Sequence, residues 1–94
     1  MHSILQLMSI TKLKEKIREV KDFPKKGISF KDITPLLADP ILSSFVVESF
    51  KNNLKGEKID AIIGIESRGF LFGMMLANEI NVPFIPIRKA GKLP

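Results

Sequence analysis

The sequence predicts an α/β protein built on a parallel sheet, and three observations carry that reading. From Ile59 to Ile65 runs Ile-Asp-Ala-Ile-Ile-Gly-Ile, a nearly continuous apolar, β-branched stretch. Such runs suit strands covered on both faces, as in parallel sheets. A helical segment, Gly69 to Ile80, follows, and a second apolar run, Val82 to Ile87, comes next. Strand, helix and strand within about thirty residues form a βαβ crossover unit. Two parallel strands do not finish a sheet, so the pattern points to a doubly wound, Rossmann-like fold truncated after its second core strand.

The other elements follow in order. Residues 1–10 read as an N-terminal extension, with Met8 as good a start as Met1, and 11–94 as one incomplete domain. From Thr11 to Lys21, Leu13, Ile17 and Val20 fall at i, i+4 and i+7, the stripe of an amphipathic helix that Pro24 and Gly27 end. The stretch Asp22–Asp39 carries Pro24, Gly27 and Pro35 beside Phe23, Ile28, Phe30, Ile33, Leu36 and Leu37. A loop with that much apolar material is expected to pack on something. Asp39-Pro40 is a strong helix start, since Asp caps free amides and Pro fits the first helical position. Leu42, Phe45, Val46, Phe50 and Leu54 give that helix its buried face, and Gly56 ends it. Asn81 ends the next helix in a left-handed conformation. Phe72, Met74 and Met75 are expected in the core, and Gly73 either lets the helix approach the sheet closely or is merely tolerated at a cost of about 1 kcal/mol. Pro83 and Pro86 cannot donate ladder hydrogen bonds, which puts the last strand toward an edge or in irregular pairing.

Composition narrows the class. Ninety-four residues suffice for one small domain. Cysteine is absent, which excludes disulfides and cysteine-ligated zinc and leaves a reducing, cytoplasmic setting as the default. The single histidine, His2, cannot build a metal site alone. The longest dense apolar stretch, Gly69 to Ala77, is under half of the roughly 20 residues a membrane helix needs. The opening MHSILQLMSI lacks the basic lead-in and cleavage site of a signal peptide. Fifteen basic against 10 acidic residues, a net charge of +5, allow either a solubilising surface or an anionic partner.

Placement favours the anion. Ligands of open α/β sheets bind at the carboxyl ends of the strands. Two polar, glycine-containing segments occupy that edge, Glu66-Ser67-Arg68-Gly69 and Arg88-Lys89-Ala90-Gly91-Lys92. They bring Arg68, Arg88, Lys89 and Lys92 to one side, where a helix beginning near Gly69 also presents free amides and its positive dipole end. A phosphate-type ligand is therefore favoured. Gly64 to Gly69 lacks the middle glycine of the dinucleotide fingerprint and the Gly-Lys-Ser/Thr of a P-loop. By itself Phe30 is either a core residue or a stacking platform, with core favoured.

Taken together, three segments resemble the adenine phosphoribosyltransferase family. They are Asp22-Phe23-Pro24 with Gly27 to Leu37 (GISFKDITPLL), Gly64-Ile65-Glu66-Ser67-Arg68-Gly69-Phe70, and Arg88-Lys89 with Gly91-Lys92-Leu93-Pro94. The resemblance runs from about Leu13 to the last residue. It implies a purine-salvage enzyme of phosphoribosyltransferase fold, joining adenine to 5-phosphoribosyl 1-diphosphate to give AMP and pyrophosphate with Mg²⁺. Phe30 would stack on adenine, and the backbone of Ser29 and Lys31 would bond its edge. Arg68, with the Glu66-Ser67 backbone, would hold the diphosphate, in a loop that in this family can adopt a non-proline cis peptide. Arg88 and Lys92 would add contacts, in a homodimer across its interface. The family continues for roughly as many residues again, through a mobile loop with a catalytic glutamate and an acidic, Thr/Gly-rich 5′-phosphate turn. Neither is found here, so no catalytic residue and no metal ligand is carried over. The chain is expected to be a fragment without turnover whose full-length form has the activity.

Three rivals remain. A xanthine-type phosphoribosyltransferase would share the strand, acidic-Ser turn and Arg-Lys pair but not the DFPKKGISFKDITPLL segment. A remnant could bind phosphoribosyl ligands or dimerise without chemistry. A nucleic-acid binder fits the charge but lacks Trp, Tyr and a recognisable motif.

Overall fold

The computed structural model describes residues 4–94, those before Ile10 by their backbone. The chain divides into two compact units, Met1–Phe45 and Val46–Pro94.

The first unit contains α1 (Ile4–Lys16), β1 (Arg18–Lys21), β2 (Ser29–Asp32), α2 (Thr34–Leu37) and the start of α3 (Pro40–Asn53). Helix α1 begins inside the proposed extension, of which residues 1–3 lie outside the described ones. The helix expected over Thr11–Lys21 instead stops at Lys16, and Arg18–Lys21 forms a strand antiparallel to Ser29–Asp32. The reason is charge pairing across the hairpin. Arg18 stands opposite Asp32 with an ion pair of 2.7 Å, and Glu19 opposite Lys31 with one of 2.6 Å. Opposite charges placed directly opposite one another favour the pairing of two strands. Val20 sits opposite Phe30, so its apolar surface is used across the strands rather than along a helix. Ile17, freed from the stripe, is exposed.

The connection between the strands is tight. Asp22 (φ 55°) and Gly27 (φ 86°) both take left-handed conformations, and the Gly27 N–H donates to Asp22 Oδ1 at 2.7 Å. Asp32 then starts α2: its Oδ1 accepts from the Thr34 N–H (2.9 Å) and from Thr34 Oγ1 (2.8 Å). Asp39 caps α3 as expected, accepting at Oδ1 from the N–H groups of Ile41 and Leu42, both at 3.1 Å. Among the described residues of this unit, Leu36 and Leu42 are the buried apolar side chains.

The second unit continues α3 and adds β3 (Ile62–Ile65), α4 (Arg68–Ile80) and β4 (Phe84–Ile87). Strands β3 and β4 pair in parallel, Ile62 with Phe84 through Ile65 with Ile87. The βαβ unit is thus present, with strands shorter than the apolar runs. Gly56 (φ 87°) follows α3, and Asn81 ends α4 left-handed at φ 60°, ψ 50°. Pro83, which has no N–H, serves the ladder by its carbonyl, accepting from the Ile62 N–H at 3.0 Å.

Packing differs from expectation in three places. The buried positions of α3 are Leu42, Ser43 and Val47, while Phe50 is exposed. On α4, Leu76 and Ala77 are buried; Met74 and Met75, expected in the core, are exposed. Strand β3 is covered on one face only. Gly64 is buried beneath α4, whereas Ile63 and Ile65, with Ile85 and Ile87 beside them in register, are exposed. Alternation explains this: Ile62 and Gly64 turn toward α4, and their neighbours turn away.

Gly73 does what close approach demands. A Cβ at Gly73 would meet Phe84 Cε1 at 2.6 Å; one at Gly64 would meet the same ring atom at 2.6 Å and the Gly69 carbonyl oxygen at 2.7 Å. The Phe84 ring therefore fills the space that two absent side chains leave between helix and sheet. It also meets Phe70 edge-on, with centroids 6.0 Å apart.

Candidate functional site

The strand tips of the second unit gather the expected cationic segments on one edge. Ile65 and Ile87 end β3 and β4 in register. The next residue on the first strand, Glu66, donates its N–H to the Ile87 carbonyl at 3.0 Å. Its carboxylate Oε1 accepts from the Lys89 N–H at 3.3 Å. The segment after β3 and the segment after β4 are thereby joined. Helix α4 starts at Arg68 with Ser67 as its cap residue, and no side chain caps that end. The start of a helix carries a positive dipole end, and in this first turn the Phe70 N–H is bonded to the Ser67 carbonyl at 3.1 Å. Arg88 lies with its guanidinium carbon 5.9 Å from the centroid of the Phe70 ring, in the first turn of the same helix. Gly91, at φ 86°, turns the second segment back, and the Lys92 N–H donates to the Lys89 carbonyl at 3.1 Å. Ser67, Arg68, Arg88, Lys89 and Lys92 are exposed and Glu66 half-buried.

Charge-assisted hydrogen bonds to an anion are worth roughly 1.5–3 kcal/mol each. Guanidinium groups, ammonium groups and helix amides at one edge form an anion-binding arrangement. The cis peptide bond among the described residues is Phe23–Pro24, so the Glu66–Ser67 loop has no cis peptide here.

Ser29, Phe30 and Lys31 lie on β2 of the first unit. Alternation turns Phe30 and Asp32 to the covered face and Ser29 and Lys31 outward. Phe30 is half-buried and meets Phe23 edge-on, with centroids 5.2 Å apart and planes at 70°. The Lys31 ammonium donates to Glu19 Oε2 (2.6 Å) and to Ser29 Oγ (3.2 Å). These side chains are occupied with one another. The hydrogen bond from Lys31, reinforced by its charge, holds the Glu19 carboxyl below its ordinary range. The Thr34 N–H and hydroxyl, and then Arg18, do the same for Asp32.

No protein-family model matches the chain. Individual proteins do. The adenine phosphoribosyltransferase of Christiangramia forsetii is 58% identical over 82 residues, which is 87% of this chain and 48% of that protein. The structure of the adenine phosphoribosyltransferase from Rhodothermus marinus superposes with a TM-score of 0.88 at 45% identity, covering 94% of this chain and 50% of that one. The Saccharomyces cerevisiae structure, complexed with adenine and D-2,5-dideoxy-2,5-imino-altritol 1,6-bisphosphate, gives 0.85 at 42% identity, covering 94% and 54%.

This chain is a relative of the adenine phosphoribosyltransferases. It spans about half the length of the curated relatives it matches. The α/β fold of phosphoribosyltransferase type read from the sequence is the one found. Among the described residues no helix is long and apolar enough to cross a membrane.

Two supporting residues of the second unit do not stand out in the sequence, Phe70 in the first turn of α4 and Phe84 at the start of β4. Phe70 lies beside the Arg88 guanidinium, a contact that depends on register and that sequence spacing does not signal. Phe84 was seen only as strand, although two glycines facing one apolar strand imply a large side chain between them.

Proposed function

We propose that the whole protein of which these residues are part performs purine salvage. The reaction moves the 5-phosphoribosyl group from 5-phosphoribosyl 1-diphosphate to adenine, giving AMP and pyrophosphate. The identity with adenine phosphoribosyltransferases supports the reaction class. The observation that carries the role of this stretch is the junction of two cationic segments at the start of α4, through the bonds of Glu66 to Ile87 and Lys89.

In this reading Arg68, Arg88, Lys92 and the backbone of Glu66 and Ser67 hold the diphosphate. As the bond to C1′ breaks, negative charge accumulates on that group, and fixed cations and helix amides lower the barrier without reorganising. Phe30 stacks on the adenine ring, with Phe23 against it, while the backbone of Ser29 and Lys31 bonds the purine edge. The donor set at the strand tips is cationic. Mg²⁺ then fits as part of the substrate, arriving on the diphosphate. The protein acts as a homodimer in the cytoplasm, with Arg88 and Lys92 reaching toward the interface.

The 94 residues alone are expected to bind without turning over. Calorimetric titration tests this: pyrophosphate should bind the wild-type chain and lose at least tenfold in affinity in Arg68→Ala. Equal affinity in the two proteins would remove Arg68 from the site. AMP formation by the purified chain, free of host enzyme, would contradict the absence of turnover. Binding of both ligands with no activity in any longer form would favour the non-catalytic remnant.

A further inference from the structure

The Glu66 carboxylate is the one group at the strand tips whose charge is wrong for a diphosphate. We infer that its side chain is a positioning group for Arg88, an inference that rests on reading this edge as the diphosphate site. Glu66 makes two bonds to the second segment, and they bracket one residue. Its N–H holds the carbonyl of Ile87 at 3.0 Å, and its Oε1 holds the N–H of Lys89 at 3.3 Å. Arg88 lies between, so the peptide groups on both sides of it are tied to the tip of β3. The Arg88 guanidinium, 5.9 Å from the Phe70 centroid, is steered by a ring belonging to the helix that β3 leads into. The backbone and the head of Arg88 are both referred to the β3–α4 turn. A cation fixed in this way meets an anion at a lower entropic cost than one on a free loop.

The carboxylate also has a cost. It is half-buried beside the cationic segments and repels any anion they hold. Its bond to the exposed Lys89 amide is of modest strength, so its removal is expected to weaken anion binding by roughly three- to tenfold.

The test uses the 94-residue chain and pyrophosphate as the probe. Glu66→Ala removes acceptor and charge; Glu66→Gln keeps an acceptor oxygen and removes the charge. The inference expects Glu66→Ala to bind pyrophosphate more weakly and Glu66→Gln more tightly than wild type. In an Arg88→Ala background, Glu66→Ala should weaken binding no further. Equal weakening in both Glu66 variants would overturn the inference in favour of a carboxylate needed for its charge. Tightening in both would reduce Glu66 to a source of repulsion, and no change in either would also overturn it. A second measurement is independent of the ligand: the Lys89 amide resonance should move and exchange faster with solvent in Glu66→Ala, and much less in Glu66→Gln. An unmoved Lys89 amide defeats the positioning role. Failure of wild type to bind pyrophosphate, with Lys89 behaving as stated, defeats instead the reading of the edge as a diphosphate site.

Discussion

Replacing Gly73 by alanine sets two effects of opposite sign against each other, and the structure gives the winner. Gly73 lies inside α4, where alanine is favoured over glycine by about 1 kcal/mol. Against that, the new methyl would stand 2.6 Å from Phe84 Cε1 and 3.3 Å from its Cδ1. Overpacking of this kind costs about 1–3 kcal/mol. The ring is half-buried and bounded by Phe70 and Gly64, which limits its escape. Gly73→Ala should therefore destabilise by about 1 kcal/mol net, or roughly 4–8 °C in Tm for a domain of this size. Gly64→Ala should cost more, about 2–3 kcal/mol, because one of its obstacles is the Gly69 backbone carbonyl, which cannot rotate aside. Urea unfolding followed by circular dichroism, at micromolar protein, reads both values. Phe84→Leu combined with Gly73→Ala should show a coupling above about 0.5 kcal/mol, the mark of direct contact. Were Gly73→Ala to stabilise the chain by the full helix-propensity difference, the close approach of α4 to the sheet would be refuted.

Two further outcomes follow from other parts of the molecule. Glu19 and Asp32 are held below their ordinary values by Lys31 and by Thr34 with Arg18. Their contribution is therefore complete above the ordinary carboxylate range and is lost as pH falls through the lowered values. Amide signals of β1 and β2 should stay dispersed near neutral pH and collapse below about pH 4, before those of β3 and β4; loss of both sheets together would argue against it. The exposed face of Ile63, Ile65, Ile85 and Ile87 is an apolar patch of the kind that drives association. Ile65→Lys should raise the concentration at which light scattering first detects aggregates, without lowering the urea midpoint; an unchanged threshold would mean that association proceeds elsewhere.

Helix α3 and much of the second unit were legible because their signals are local. An Asp-Pro start, an Asn stop and two β-branched runs each impose their own geometry, and α3, α4 and the parallel pair lie close to where those signals put them. The hairpin of the first unit was illegible for the opposite reason. Arg18 and Asp32 are fourteen positions apart, as their numbers show, and nothing in the helix-like spacing of Leu13, Ile17 and Val20 reveals that the charges between them pair across a turn. Met74, Met75, Ile63 and Ile65 misled in another way. Hydrophobicity states what a side chain would gain from burial, but not whether an element lies against it. At the strand tips, residue types drew attention to the edge, since the carboxyl ends of parallel strands are where open α/β sheets bind ligands. The bonds of Glu66 and the ring under Arg88 depend on register, which a single sequence does not print.

The central claim is that the two segments at the tips of β3 and β4 act together on one anion. A pyrophosphate titration followed residue by residue in the amide NMR spectrum tests it most directly. Saturable shifts that share one dissociation constant and concentrate in Glu66–Gly69 and Arg88–Lys92 are expected. Shifts confined to one of those segments, or larger in the hairpin than at the strand tips, would contradict it.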